Sequence, residues 1–147
     1  ALEETILTEI GTDMTRFPTA DHLCSWAGVC PGNNESAGKH KSGRTRDGNR
    51  WLCRTLVQAA WAGSHTKNSY FQAQHRRISR RRGFKRATMA VAHSILVVIY
   101  HMLKTGTVFK EPGEAFFDCL KPERTVKNLL KRLEALGYDA TLTPRAA

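Results

Sequence analysis

Apolar residues recur at helical spacing along most of this chain, and turn-forming residues separate the runs. Leu2, Ile6, Leu7 and Ile10 share one face of a first helix, which Gly11 is suited to close. Phe17-Pro18-Thr19 opens a second helix, with Thr19 as N-cap, Leu23, Trp26 and Ala27 facing inward and Gly28 at its end. Pro31-Gly32-Asn33-Asn34 reads as a turn. From Glu35 to Asp47 nothing is periodic, which predicts a long, mobile, basic loop of the kind that usually serves function in a compact domain. Asp47 or Asn49 can cap the next helix, over about residues 50–62, with Leu52, Leu56, Ala59 and Ala60 inward. A further helix over 69–82 breaks at Gly83. The apolar helix over 85–104 then supplies the central core element.

The pattern changes after Gly106. Residues 107–121 look irregular, with Phe109, Phe116 and Phe117 available to dock on the core. Pro122 starts a last amphipathic helix, 122–136, with Val126, Leu129, Leu130, Leu133 and Leu136 on one face and Gly137 closing it. Residues 138–143 leave room for a short strand. The expected fold class is mostly α: a helical domain over 1–106 with a long basic glycine-rich loop, and a C-terminal appendage over 107–147. The chain opens inside what reads as the end of a helix, with no initiator methionine, so it is expected to be a piece of a longer protein. Trp26, Trp51 and Trp61 sit at helical positions and are expected to pack in the core.

Charge narrows the choice of partner. Lys and Arg number 23 against 13 Asp and Glu, a formal net charge of +10. From Gly48 through Lys110 there is no Asp or Glu, while 12 Lys and Arg fall there, Lys110 included. A surface so one-sided points to a polyanion. The same stretch argues against a carboxylate-held metal nuclease within this chain, because its acids lie scattered toward the two ends. Cys24, Cys30, Cys53 and Cys119 form no Cys-x-x-Cys pair and fit no common zinc spacing even with His40, so reduced, partly buried thiols are expected. His93 and His101 read as core or interface histidines rather than metal ligands. The apolar run Ala87–Leu103 is short for a membrane span and holds Thr88, His93, Ser94 and His101, so a buried helix of a cytoplasmic protein is expected. Gly32 to Lys39 superficially resembles a phosphate-binding P-loop. One residue too many separates Gly32 from Gly38, however, and His40 stands where Ser or Thr should be, so an NTPase is rejected.

Two groups of residues carry candidate chemistry. Ser36 opens the basic loop, among Lys39, Lys41, Arg44, Arg46, Arg50 and Arg54. A serine hydroxyl is a weak nucleophile that needs a base or strong electrostatic help. The arginines could stabilise the charge of a phosphoryl transition state, and His40 is within sequence reach as proton acceptor. Taken singly, a loop serine is more often structural. Further on, seven Lys and Arg lie from Arg76 to Arg86, and the pairs Arg76/Arg80 and Arg77/Arg81 repel one another unless an anion joins them. That density favours nucleic-acid backbone contact, which gives affinity without sequence reading.

An ordered set of motifs goes further. Phe17-Pro18-Thr19, Leu23, Trp26-Ala27-Gly28, Pro31, Glu35-Ser36-Ala37-Gly38-Lys39, Ser42-Gly43, Thr45-Arg46 and Gly48-Asn49 resemble the C-terminal transposase domain of the DEDD-type insertion-sequence transposases. These are the bridge-RNA-guided recombinases of bacterial mobile elements. The resemblance continues through Leu56, Ala59-Ala60, the arginine-rich helix, Ala90–Leu96 and Leu133–Leu142. It implies a RuvC-like partner domain that holds Mg²⁺ on four acidic residues, and a helical domain whose serine forms a covalent phosphoserine link to DNA. Religation then needs no ATP. The family serine corresponds to Ser36. Gly38, Gly43 and Gly48 would shape the loop together with Asn49, and Asn49 with the neighbouring cations would hold DNA or the guide RNA. A homo-oligomer is expected of the whole protein, with no metal held by this chain. The chain departs from the family by lacking the RuvC-like half, and by Cys53 where relatives commonly carry Arg; Arg54 lies one position on, about 100° around a helix. The other reading is a non-catalytic basic module that binds nucleic acid or mediates oligomerisation.

Overall fold

A computed structural model describes residues 1–32 and 34–146. Asn33 of the predicted turn lies outside the described residues, as do the side chains of Asn34, His40 and Lys41. The order of elements is α1 (Leu2–Ile10), a 3-10 turn (Met14–Arg16), α2 (Ala20–Ala27), β1 (Asn34–Ser36), β2 (Lys39–Ser42), α3 (Arg50–His65), α4 (Tyr70–Arg82), α5 (Phe84–Thr105), α6 (Phe116–Leu120) and α7 (Pro122–Ala135). The fold is mostly α. It divides into two compact units, Ala1–Glu114 and Ala115–Ala147.

In the first unit α5 is the axis. It packs against α2, α3 and α4 through a buried stripe of Ala87, Val91, Ala92, Leu96 and Tyr100, while α1 lies on α3 with Ile6 and Ile10 buried. By length and composition α5 is apolar enough to cross a membrane. Its contacts are those of a core helix. Tyr100 donates its buried hydroxyl to the Phe17 carbonyl at 3.0 Å and accepts from Lys104 Nζ, also at 3.0 Å, which ties α5 to the entry of α2. Side-chain caps set the helix starts: Thr19 accepts from His22 N–H, Asn49 from Leu52 N–H and Ser69 from Gln72 N–H. Asn49, not Asp47, is therefore the cap of α3. Helix α3 runs three residues beyond its predicted end, and α5 one residue beyond at each end.

Helix α4 meets α5 at His75. Its Nε2 lies 3.1 Å from Thr88 Oγ1, and its ring stands edge-on to Phe84 at 4.8 Å. Burial above all, aided by the nearby His65, holds its pKa below the usual 6.5; a backbone hydrogen bond at Phe84 acts the other way. A depressed histidine favours the neutral form in the folded chain, so its contribution is complete above about pH 6.5 and is lost as pH falls from there toward the folded value. The melting temperature should therefore drop on acidification from about pH 7 to about pH 5, and the drop should shrink in His75→Gln. An equal pH slope in that variant would remove His75 as its source.

Three expectations are corrected. The segment after Glu35 is not a featureless loop: β1 and β2 form an antiparallel hairpin, with Ser36 opposite Lys39 and a two-residue connection, Ala37-Gly38, in which both residues have positive φ (51° and 73°). Such a turn matches the right-handed twist of paired strands. The tryptophans are not core residues, since Trp26, Trp51 and Trp61 are 41%, 67% and 55% exposed. The buried stripe of α3 is Leu52, Leu56 and Ala60, and at 100° per residue Trp51 and Trp61 fall on the opposite side. On α2 the buried residues are Leu23, Cys24 and Ala27, leaving Trp26 against Phe17 at a ring distance of 5.6 Å. Residues 138–143 form no strand. Phe109 stacks on Phe71 at 5.8 Å, and the Phe116 and Phe117 rings of α6 stand edge-on to each other at 5.3 Å. In the second unit α7 leaves Val126, Leu129 and Leu133 exposed, and Leu136 just after it is exposed too.

Among the described residues all four cysteines are free. Burial pushes the Cys24 thiol up to about 12 and also raises those of Cys30 and Cys53, so these three stay protonated near neutrality.

Candidate functional site

The excursion that carries Ser36 leaves the helical body at the end of α2 and returns at the start of α3. Its root is a close crossing of two glycines. Gly28 ends α2 in the left-handed region (φ 76°, ψ 23°), and a Cβ there would stand 2.9 Å from Gly48 N and 3.1 Å from the Arg46 carbonyl oxygen. A Cβ on Gly48 would run into Gly28 N and the Ala27 carbonyl carbon. Asn49 N–H donates to the Trp26 carbonyl at 3.2 Å, and one step outward Gly32 N–H donates to the Arg44 carbonyl at 3.0 Å. Pro31 and Thr45 form an isolated bridge between the two legs. Asn49 completes the root, as its Oδ1 caps α3 and its Nδ2 donates to Glu9 Oε2 at 2.6 Å. Both ends of that amide are thus engaged within the protein.

Beyond the root, among the described residues, the two strands pack on each other and neither contacts a helix. Ser36 is the last residue of β1 and is exposed, one residue before the tip. Among the described residues no side chain hydrogen-bonds its hydroxyl. Gly38 occupies the turn with φ +73°, and Gly43 lies exposed in the irregular segment after β2. The backbone of Lys41 is in β2. Lys39, Arg44, Arg46, Arg50 and Arg54 are all exposed. Cys53, at the position where the family pattern has Arg, is half-buried against the core.

The second basic group is separate from the first. Helix α4 turns Gln72 and His75 inward, which leaves Arg76, Arg77, Arg80 and Arg81 on its exposed side. This helix packs on α3 and α5 and does not approach the hairpin strands. Among the described residues no carboxylate pairs with Arg76, Arg80 or Arg81, nor with Arg44, Arg46, Arg50 or Arg54. Those cations are available to phosphates. No group of three or more His, Cys, Asp or Glu able to hold a metal stands together among the described residues, so an Mg²⁺ site does not fit the side chains found here.

Residues 2–76 match the family described as the transposase IS116/IS110/IS902 family. The chain belongs to that family. The matched segment runs from α1 into α4 and holds the whole Ser36 excursion and its root, whereas Arg77, Arg80 and Arg81 lie beyond it. A curated relative, "Insertion element IS110 uncharacterized 43.6 kDa protein" of Streptomyces coelicolor, is 31% identical over 106 residues, 71% of this chain and 26% of the relative. The chain thus spans about a quarter of that relative's length. No solved structure matches. In this transposase-family domain the exposed face of α3 is a feature that sequence reasoning missed. Trp51, Arg54, Gln58, Trp61 and His65 follow one another at steps of three and four, opposite the buried stripe. That spacing was the available signal.

Proposed function

We propose that this domain acts in DNA transposition by supplying a serine nucleophile, Ser36, and by holding DNA through the cations of the hairpin and of α4. The observation that carries the reading is the position of Ser36: exposed near the tip of a hairpin with a braced root, its ladder partner Lys39, and unpaired arginines on the return leg and the first turns of α3. In the reaction, Ser36 Oγ loses its proton and attacks a DNA phosphorus. A phosphoserine ester forms, and the displaced strand end leaves as a hydroxyl carrying a proton. Attack by a second strand's hydroxyl reverses the exchange, so the bond energy is kept and no ATP is consumed. Lys39, Lys41, Arg44, Arg46, Arg50 and Arg54 would neutralise charge on the phosphate as it becomes pentavalent. Asn49, Gly48 and Gly38 would hold the excursion in shape.

The base and the Mg²⁺ that the resemblance implies would belong to a RuvC-like domain with four acids, and a guide RNA and a second copy of the protein would complete the assembly in a bacterial cytoplasm. The deciding experiment joins this chain to such a domain and supplies Mg²⁺, guide RNA and donor DNA. A covalent adduct should form, and peptide mapping should find it on Ser36. An adduct on another residue would leave this domain as a basic binding module.

For α4, changing Arg76, Arg77, Arg80 and Arg81 to Gln should weaken duplex binding on every sequence. It should also flatten the plot of log affinity against log salt by roughly 0.9 for each phosphate that is no longer neutralised. An unchanged slope would assign the helix a structural role.

A further inference from the structure

A groove of about 460 Å³ lies between α3 and the start of α5, lined by Val57, Gln58 and Trp61 on one side and Phe84, Lys85, Thr88 and Met89 on the other. Its two large rings are among the most exposed aromatics of the first unit: Trp61 is 55% and Phe84 53% exposed. Each rests against a histidine ring. The His65 ring lies 4.4 Å from that of Trp61, with His65 Nδ1 2.7 Å from the Trp61 carbonyl oxygen. The His75 ring abuts Phe84 edge-on and is itself fixed by Thr88. Both rings are thus positioned before any ligand arrives, at no cost to the core, which is built from the opposite face of α3.

The surroundings decide the occupant. Lys85 is part of the groove, and Arg81, Arg82 and Arg86 flank it in sequence, all exposed. No Asp or Glu occurs between Gly48 and Lys110 to balance them. An apolar protein segment would satisfy the rings but not the cations. A paired duplex would satisfy the cations but hide its base faces. An unpaired nucleic-acid strand offers both, a stackable base and a phosphate on each side of it.

We propose that the α3/α5 groove takes an unstacked base of a single strand between Trp61 and Phe84, while Lys85 and its neighbouring arginines hold the flanking phosphates. The proposal rests on the reading of this domain as one that handles nucleic acid, and it adds a contact apart from the Ser36 hairpin.

The test uses the 147-residue chain. Trp26→Phe and Trp51→Phe leave Trp61 as the sole tryptophan, and its emission is followed as oligo(dT), oligo(U) or a duplex is added. Unpaired strands should quench Trp61 more than the duplex does, and the two single-strand arms tell which sugar the groove prefers. Trp61→Ala and Phe84→Ala should each weaken single-strand binding roughly 5- to 100-fold with the salt slope unchanged, and Trp61→Tyr should restore most of it. Because both side chains are half-exposed, circular dichroism of the variants should remain that of the parent. Equal affinity for single strands in Trp61→Ala and Phe84→Ala would overturn the proposal. So would self-association that is abolished by Trp61→Ala while strand binding persists. Failure of the parent chain to bind any nucleic acid at low salt would instead sink the functional reading itself.

Discussion

Ser36→Ala, in the chain joined to a RuvC-like half, is expected to remove the covalent protein–DNA adduct entirely and to lower recombination by about 10³- to 10⁶-fold, the range seen when a nucleophile is deleted. The loss should fall on the chemical step. Ser36 is exposed and hydrogen-bonds no described side chain, so its replacement is expected to disturb neither the fold nor the basic surface around it. Affinity for donor DNA and its salt dependence should therefore match the parent within about twofold, as is usual for a surface substitution away from any packed contact. Ser36→Cys is the sharper control, because a thiolate could still attack phosphorus and leave a slower adduct. Recombination and adduct persisting in Ser36→Ala would remove this serine from the chemistry.

The second large effect is structural. Gly48→Ala is expected to cost about 2–4 kcal/mol of stability, since its Cβ would meet backbone atoms of Ala27 and Gly28 that no rotamer change can move aside. Gly28→Ala should behave alike for two reasons, the clash with Gly48 and a left-handed φ that disfavours any side chain. Gly38→Ala, with a positive φ but open space around its Cβ, should cost only about 1 kcal/mol. Thermal or urea denaturation of the three variants tests the order. A Gly48→Ala protein as stable as Gly38→Ala would mean that the two legs of the excursion are not held together at that crossing.

Much of the helical scaffold is legible in the residues, because it rests on repeated small signals. The stripe Leu52, Leu56 and Ala60, the caps Thr19 and Ser69, and the glycines 28, 83 and 106 fix element type and ends together. The hairpin is not legible in that way. Asn34-Glu35-Ser36 and Lys39-His40-Lys41-Ser42 carry no alternation of apolar and polar residues that would mark a strand with one covered face. Only the short Ala-Gly connection hints at it, and Ala37 is an unusual residue for positive φ. The tryptophans mislead because a helical position does not say which face is inward; the angle to Leu52 and Leu56 does. The contact of Gly28 with Gly48 joins residues twenty apart and leaves no local mark. Of the site itself, the basic surface follows from composition, whereas the role proposed for Ser36 starts from the family resemblance and is supported by its exposed place near the hairpin tip.

The glycine crossing has a consequence for how such a domain can change over generations. Because the two legs meet through main-chain atoms, what lies between Gly32 and Arg44 is a cassette. Substitutions in it, or a hairpin longer or shorter by a pair of residues, alter what the tip presents without repacking Leu23, Leu52 or Leu56 behind it. Variation at the hairpin tip is thereby uncoupled from foldability of the core, and the constraint on drift is concentrated in Gly28, Gly48 and Asn49.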